Sequence, residues 1–203
     1  MSRKPSVPDT PSVASRQAPL AADRIRRSAR QLFYRHGIRA VGVDAIVAEA
    51  GVTKPSLYRS FPSKDELAAS YLRDYEAEFW RRFEAAVQAH PGDPRAQVLA
   101  YFAGLSERAT RGPGYRGCGL SNAAVEYPEA GHPARLVSVA HKRELRERLA
   151  AMARGMGARD PQALGDGLLL LMEGAFVSGQ IFGADGPAAH LRVAAERLIQ
   201  ASL

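Results

Sequence analysis

The chain has 203 residues, of which 46% are hydrophobic, and it carries a net charge of +7 and a single cysteine. One cysteine excludes an intramolecular disulfide framework, and the length suits one medium-sized domain or a small domain joined to a larger one. Residues 1–65 hold 12 Lys or Arg against 5 Asp or Glu, whereas residues 66–203 hold 16 of each. Because the whole surplus lies near the N-terminus, we expect that part of the chain to meet an anionic partner.

The first 21 residues contain four prolines, several serines and almost no large apolar residue. Such a segment buries too little surface to offset its ordering entropy, so we predict a disordered tail over residues 1–21. No apolar N-terminal stretch resembles a signal peptide, and the longest apolar run, Gly167 to Gly183, is short for a membrane span. We therefore expect a cytoplasmic protein with no membrane partner.

A first helix is predicted from Ala22 to His36, where Gly37 ends it. Its apolar residues recur at helical spacing and predict one buried stripe: Ile25, Ala29, Leu32 and Phe33. The rest of its surface carries five arginines: Arg24, Arg26, Arg27, Arg30 and Arg35. A solvated charged face and a face that contacts phosphate groups both fit this pattern.

Residues 43–61 predict two short helices joined by a tight turn. Gly51 ends the first helix, because glycine adopts the left-handed conformation at little steric cost. Thr53 is a good N-cap for the second helix, and Pro55 fits its first turn, where a missing N–H costs nothing. Two helices around a short turn that contains glycine form a helix-turn-helix pattern. The exposed side of the second helix would carry donors and no acid, which suits a polyanion.

A capping box, Ser63 to Glu66, then opens a long helix that runs to about Ala89. Its apolar line is Leu67, Tyr71, Tyr75, Phe79, Phe83 and Val87. Prolines and glycines divide the remaining chain into further amphipathic helices, of which the last is predicted over Pro187 to Leu203. The predicted fold class is all-α with about nine helices. A helix-turn-helix head over residues 22–66 is joined by the long fourth helix to a helical body over residues 67–203.

The order of these parts resembles the TetR (tetracycline-repressor) family of bacterial regulators. The resemblance rests on residues 25–67, which hold the arginine-rich helix, the sequence Gly-Val-Thr-Lys-Pro-Ser-Leu-Tyr-Arg-Ser-Phe and the following Ser-Lys-Asp-Glu-Leu. It implies a DNA-binding transcriptional regulator that acts as a homodimeric repressor on a palindromic operator in double-stranded DNA. It also implies an unknown small-molecule effector that releases the DNA.

Carried over by position, the DNA contacts of the family fall on Gly42, Val43, Thr53, Lys54, Pro55, Ser56, Tyr58, Arg59 and Lys64. Ser56 and Arg59 match positions that face base edges, and a guanidinium suits the paired acceptors of guanine. Lys64 matches a phosphate contact. Tyr58 matches another, and it also fits an aromatic packed between helices. The chain departs from the family at Gly42, where Thr or Ser is common, so a hydroxyl contact is lost there.

The resemblance implies a dimer interface from the last two helices, and small and apolar residues there fit it: Gly167, Leu171, Gly174, Ser178, Phe182, Leu191 and Leu198. The core of a single chain explains the same residues. A ligand pocket in the body would draw on Trp80, Phe83, Phe102, Leu105, Cys118, Asn122, Met172, Glu173 and Phe176, most of which also fit plain core. Glu173 lies in an apolar run, so we expect a nearby arginine or a cationic or hydroxylated ligand to meet it.

The five histidines are scattered and no pair has metal-ligand spacing, so we expect no metal site and no cofactor. No phosphate loop or nucleophile-and-base motif occurs, which disfavours an enzyme that uses the helical body. Two other kinds of regulator stay open. One has no small-molecule effector, and the other responds to oxidation of Cys118, whose thiol follows Arg116 and precedes a predicted helix.

Overall fold

The computed structural model describes residues 20–203, and within them the chain forms nine α-helices, two short 3-10 helices and no strand. The predicted all-α class is therefore confirmed. Of the predicted tail, residues 1–19 lie outside the described part of the chain. Leu20 accepts the N–H of Arg24 at 3.1 Å, so the first helix begins at Ala21 and takes in the last residue of that tail.

The helices follow one another with short connections. They are α1 (Ala21–His36), α2 (Val43–Ala50), α3 (Lys54–Ser60), α4 (Lys64–Ala89), α5 (Pro94–Ala109), α6 (Gly119–Glu126), α7 (Pro133–Gly155), α8 (Pro161–Phe182) and α9 (Leu191–Ser202).

Side chains that accept backbone hydrogen bonds set the predicted helix starts. Thr53 Oγ1 accepts the N–H of Ser56 at 3.4 Å, and Ser63 Oγ accepts that of Glu66 at 3.1 Å. Aspartates before α5 and α8 act in the same way. At the end of α2, Gly51 has a φ of 61°, the left-handed conformation that the sequence predicts. These caps explain why α2, α3 and α4 are separate helices.

The last helix begins later than predicted. Pro187–His190 forms a 3-10 helix, and α9 starts only at Leu191. The reason lies in α5, where Ser106 Oγ donates to the carbonyl oxygen of Ala188 at 2.7 Å. Because the Ala188 carbonyl group turns toward α5, it does not take part in α-helical hydrogen bonding. The chain therefore forms a tighter 3-10 turn before α9 begins.

The head is a three-helix unit around fully buried side chains. Ile25 from α1, Ile46 from α2 and Leu57 from α3 are each 0% exposed. The start of α4 packs on α1, and the helix continues into the body against α5 and α7. The predicted boundary between residues 66 and 67 falls inside α4, so the head and the body share one uninterrupted helix.

Within the body, α7 and α8 form a closely spaced pair. Gly165 of α8 faces α7 so closely that a Cβ there would lie 2.7 Å from the backbone nitrogen of Ala150. Any other residue would force the two helices apart. Helices α5 and α9 both pack against α8 and against each other, so α8 contacts three other helices of the body with one part of its surface.

Polar contacts join the head to the end of α6 and to the loop that follows it. The backbone N–H of Arg39 donates to Glu126 Oε2 at 2.8 Å, and its guanidinium pairs with Glu129 Oε1 at 3.0 Å. The same guanidinium lies 4.9 Å from the centroid of the Tyr127 ring. Lys64, at the start of α4, donates to the Arg39 carbonyl oxygen at 3.2 Å. We call these five residues the head–body joint. Its ion pair is solvent-exposed, so this pair contributes little to holding the head against the body.

Candidate nucleic-acid interface and the adjoining cavity

Helix α3 presents a polar edge to solvent and is anchored by its other side. Leu57 is 0% exposed, whereas Tyr58 is 48% exposed and Arg59 is also exposed. Thr53 and Pro55, at the start of the helix, are exposed as well. This edge carries no acid, so it suits contact with phosphate groups and base edges. The exposure of Tyr58 makes this residue available for contact with a phosphate.

The three cations near α3 differ in their surroundings. Lys54 Nζ lies 2.7 Å from Asp44 Oδ1, and the hydrogen bond to this carboxylate raises the pKa of the lysine. Lys64 is partly buried in the joint, and desolvation lowers the pKa of its ammonium. Among residues 20–203, Arg59 forms no ion pair. Of these three cations, Arg59 is therefore the one whose hydrogen-bond donors are available to an external acceptor.

The start of α2 lacks a hydroxyl but has room for one. Gly42 is the exposed N-cap, and a Cβ built on it meets no atom within 4 Å. Val43 packs against the head core, so only its backbone N–H in the first helical turn remains for an anion. At the start of α3, Ser56 Oγ lies 3.1 Å from Thr53 Oγ1, and the two hydroxyls contact each other.

The arginines of α1 divide between two faces of the helix. Arg24 lies beside the Gly51 turn, and the Arg26 guanidinium lies 5.7 Å from the centroid of the Phe61 ring, on the helix-turn-helix side. A different face carries a polar stripe at helical spacing, which consists of Arg27, Arg30, Gln31, Tyr34 and Arg35. The first helix thus contributes cations to two separate surfaces.

The polar stripe of α1 forms one wall of a cavity of about 710 Å³ between the head and the body. Helices α4, α5 and α8 and the loop between α5 and α6 supply the other walls. Their side chains in the cavity are Tyr71, Tyr75, Phe79, Arg82, Tyr101, Leu105, Arg108, Arg111, Tyr115 and Phe176. A volume of this size is typical of sites that hold small organic molecules.

The cavity is rich in arginine and tyrosine. Six arginines and five tyrosines line it, and none of the lining residues in the described part of the chain is Asp or Glu. Tyr34 and Tyr75 each donate to the carbonyl oxygen of Gly117, at 3.3 and 3.1 Å. Burial raises the pKa of Tyr75, so its hydroxyl stays protonated at neutral pH. Burial lowers the pKa of Arg108, whose guanidinium lies 5.7 Å from the centroid of the Tyr101 ring.

Two of the nine residues selected from the sequence for a ligand pocket, Leu105 and Phe176, line this cavity. Asn122 lines a smaller cavity of about 230 Å³. The aromatic and apolar members Phe83, Phe102 and Met172 are buried in the core, and Cys118 is fully buried there too. The Trp80 ring is covered by the Arg148 guanidinium at 4.2 Å.

Glu173 lies outside the large cavity and has partners of its own. Lys142 Nζ lies 2.6 Å from Glu173 Oε1, and Ser121 Oγ donates to Oε2 at 2.7 Å. The expected cationic partner is therefore a lysine of α7, whereas the sequence suggested an arginine.

The residues proposed for a dimer interface are spread over α8 and α9 at different depths. Gly174 and Phe182 are exposed, and Leu171, Ser178, Gly167 and Leu198 are partly buried. Leu191 is only 4% exposed and belongs to the core of its own chain. The structure adds three exposed apolar residues on α8 that the sequence analysis did not select, Leu170, Val177 and Ile181, which are 71%, 56% and 66% exposed.

Together with Gly174, these three residues follow the spacing i, i+4, i+7 and i+11. We call Leu170, Gly174, Val177 and Ile181 the α8 stripe. The stretch Pro161–Asp185 that contains it is also the one part of residues 20–203 with the length and composition to cross a membrane, a property that core helices of soluble proteins share. An apolar helical stripe with no cover in its own chain is typical of a protein–protein contact.

Comparison with known proteins relates both parts of the chain to bacterial regulators. Residues 25–71 match the family model described as bacterial regulatory proteins, tetR family. The crystal structure of SCO4454, a TetR-family transcriptional regulator from Streptomyces coelicolor, is 31% identical in sequence and superposes with a TM-score of 0.84. That superposition covers 90% of this chain and 95% of SCO4454.

Two repressors of Escherichia coli K12 are similar over shorter stretches. The HTH-type transcriptional repressor ComR is 26% identical over 114 residues, which span 56% of this chain and 54% of ComR. The HTH-type transcriptional repressor NemR is 29% identical over 72 residues, 36% of each chain. The aligned sequence stretches thus span about half the length of ComR and about a third of NemR.

Proposed function

The chain belongs to the TetR family of bacterial transcriptional regulators, and from that premise we propose that it is a homodimeric repressor that a small molecule releases from a palindromic operator. DNA binding and transcriptional regulation come with the family. The observation that carries the rest of the proposal is the position of α1. One face of this helix supports the helix-turn-helix, and another forms a wall of the cavity of about 710 Å³.

In this proposal α3 enters the major groove and reads the operator. Arg59 contacts a base edge, because its donors have no partner within the described chain and a guanidinium matches the acceptors of guanine. Thr53, Tyr58 and Lys54 contact the DNA backbone around it, together with the N-terminal turn of α2. Lys64 supports the head through the joint and adds its charge near the phosphates.

The second copy needed for a palindrome would pair through α8 and α9. The α8 stripe is the apolar surface that nothing covers within the described chain, and it runs along a single face of the helix. A two-fold axis beside this stripe would bring the same residues of both copies together, as an isologous interface requires. The two heads would then approach successive major grooves about 34–36 Å apart.

Release of the operator would follow from ligand binding in the cavity. A ligand there touches α1 of the head and α4, α5 and α8 of the body, so its affinity depends on how the head is oriented. A ligand that favours an orientation unsuited to the operator lowers the affinity for DNA by that difference. The head–body joint, whose ion pair is solvent-exposed, would permit such a change in orientation. A regulator with no effector would have no need of such a cavity, which favours the ligand-responsive alternative.

Selection of random double-stranded oligonucleotides with the full-length protein tests this proposal. We expect enrichment of a palindrome whose half-sites are separated by about one helical turn. Enrichment of a lone half-site would contradict the dimer, and no enrichment would contradict specific recognition by α3. The selected operator then serves to screen small molecules for release, which tests the effector role separately.

A further inference from the structure

We propose that the cavity between the head and the body binds an organic anion, a carboxylate or phosphate monoester on an aromatic or apolar framework. This inference rests on the proposed function, since it assigns a chemical class to the effector of the same site. The acidic group would be held by Arg82 and Arg108, and its framework would lie against the aromatic rings and Leu105.

The charges of the cavity are all of one sign. Its arginines are Arg27, Arg30, Arg35, Arg82, Arg108 and Arg111. Within residues 20–203 only one of them, Arg82, forms an ion pair, with Glu78 outside the cavity. Six guanidinium groups around one space repel one another, and an anion in that space relieves the repulsion. A cationic ligand would find no carboxylate on these walls.

Arg82 and Arg108 lie deeper than the other four. The arginines of α1 and Arg111 are exposed at the mouth, whereas Arg82 and Arg108 are partly buried. Desolvation lowers the pKa of Arg108, and the nearby charge of Arg82 lowers it further. Both side chains line the same cavity from α4 and α5, which pack against each other, so one anionic group there can meet both. Either guanidinium could bind it through two parallel N–H donors.

Unused hydrogen-bond donors point to the same class of ligand. Arg82 Nε and the Tyr115 hydroxyl are buried, and neither has a hydrogen-bond partner in the described part of the chain. Both residues line the cavity. Burial raises the pKa of Tyr115, so its hydroxyl remains a donor at neutral pH. A ligand that brings acceptors would satisfy these groups, which a purely apolar ligand cannot do.

The apolar walls indicate the chemistry of the remaining part of the ligand, its framework. Phe79, Leu105 and Phe176 face the cavity, and the rings of Tyr71 and Tyr101 add aromatic surface. Stacking of a ligand against these rings favours a flat, aromatic framework over a flexible sugar or a small inorganic ion. The volume admits a framework of one to three rings.

Four probes that share one naphthalene ring system and differ in charge separate the classes. They are 2-naphthoate, 2-naphthyl phosphate, the neutral 2-naphthamide and the cationic 2-(aminomethyl)naphthalene, and each is titrated calorimetrically into the full-length protein without DNA. We expect at least one anion to bind at least about tenfold more tightly than the amide, since paired guanidinium donors discriminate by charge. A comparison of the affinities for 2-naphthoate and 2-naphthyl phosphate shows whether the site prefers a carboxylate or a phosphate.

Variants of the deep arginines assign the binding to this cavity. Arg108→Gln and Arg82→Gln should each weaken the better anion by at least about tenfold, because each removes one charged donor pair. Arg73→Gln is the matched control, since Arg73 is an exposed arginine of α4 that does not line the cavity. Circular dichroism verifies folding, and having two deep variants keeps the test valid if one of them does not fold.

Binding of the amide or the amine as tight as that of the anions would overturn the inference. So would the absence of binding by both anions at about 1 mM, or anion binding that neither deep variant weakens. Because these titrations contain no DNA, they do not depend on operator release. If an anion binds through Arg108 but leaves operator binding unchanged, the ligand class stands and the proposed release mechanism fails.

Discussion

At the scale of single residues, the cations near α3 differ in what else they contact. Lys54 pairs with Asp44 and Lys64 donates to the Arg39 carbonyl oxygen, whereas Arg59 forms no ion pair among residues 20–203. A side chain that already holds a partner loses that contact when it turns to DNA. Arg59 carries no such cost, which supports the base-reading role that we propose for it.

Replacing Arg59 with alanine should relax sequence preference. We expect it to reduce the discrimination between the selected operator and random DNA by about 1–3 kcal/mol, the usual contribution of a good base contact. Lys64→Ala should instead weaken binding to both DNAs alike. Salt-titrated fluorescence anisotropy on both duplexes measures the two effects.

Arg154→Ala is the control for both variants, because Arg154 is exposed in the last turn of α7, far along the chain from the head. It should bind both duplexes as the unaltered protein does. Equal loss on specific and random DNA for Arg59→Ala would remove Arg59 from base reading.

His141 is a buried titratable group of the body core. It is 0% exposed, its ring lies 4.5 Å from the Phe79 centroid and 5.0 Å from that of Trp80, and neither ring nitrogen has a hydrogen-bond partner in the described chain. Burial lowers the pKa of His141 from 6.5 to about 3. The ring is therefore neutral at physiological pH, and its 3.3 Å approach to Glu76 is not an ion pair.

This histidine should make the fold sensitive to mild acid. Between pH 6.5 and about 3 the unfolded chain binds a proton that the folded chain does not, so stability falls as the pH falls, by about 1.4 kcal/mol per pH unit. Above pH 6.5 the group contributes no pH dependence. Urea unfolding of His141→Phe at pH 6, 5 and 4 should show a shallower fall than the unaltered protein.

The matched control is His90→Phe, because His90 is exposed after α4. Its slope with pH should equal that of the unaltered protein. The assignment to His141 would be wrong if both histidine variants changed the slope by the same amount.

At the scale of secondary-structure elements, α8 combines two roles. Phe176 faces the cavity of its own chain, while the α8 stripe faces outward. Val177→Glu should leave the protomer folded, since the side chain of Val177 is 56% exposed there. In a dimer the same carboxylate would be buried opposite its symmetry mate, at a cost of about 3–5 kcal/mol.

We therefore expect Val177→Glu to be a monomer in sedimentation analysis at concentrations where the unaltered protein is a dimer. The operator affinity of this variant should fall together with its ability to dimerise. Leu136→Glu changes another exposed leucine, 55% exposed on α7, and should have no effect on assembly. A dimeric Val177→Glu protein would show that the copies pair elsewhere.

The same elements show which features the sequence could predict. Caps and turns depend on one or two residues each, so Thr53, Ser63 and Gly51 predicted helix ends that the structure confirms. The cavity depends on side chains from helices far apart in sequence. Tyr71 and Tyr75 have the spacing of core residues, and only the packing of α1 across them shows that they also line a cavity.

The polar stripe of α1 was visible in the sequence, because Arg27, Arg30, Tyr34 and Arg35 share helical spacing. Their arrangement alone could not show whether they face solvent, DNA or the body. The 3-10 helix before α9 could not be predicted either, since it depends on a hydrogen bond from Ser106 to a residue 82 positions later.

At the scale of the whole molecule, different kinds of contact hold the head and the body. Gly165 lets α7 and α8 approach to contact distance of their backbones, whereas the head–body joint consists of exposed polar contacts. Since exposed ion pairs contribute little stability, we expect a change in orientation to affect the head more than the α7–α8 pair. The cavity lies between the head and the body, where a ligand contacts both.

This arrangement predicts reciprocal coupling between ligand and DNA. If 2-naphthoate or 2-naphthyl phosphate weakens operator binding, operator must weaken binding of that probe by the same overall factor, about 5–150-fold for a typical coupling. Anisotropy of labelled operator with added probe gives one factor, and calorimetry of the probe with the protein–operator complex gives the other. The neutral amide is the control. Two unequal factors would mean that the probe acts outside this equilibrium, for example by aggregating the protein.

Phe176 and Val177 are neighbours in the chain, yet one lines the cavity and the other belongs to the α8 stripe. In a dimer paired through that stripe, only the width of α8 would separate each binding site from the other protomer. A shift of α8 on occupancy of one site would then alter the second site before it fills. The dose–response curve for release should accordingly be steeper than a simple hyperbola, and repression would end over a narrow range of effector concentration.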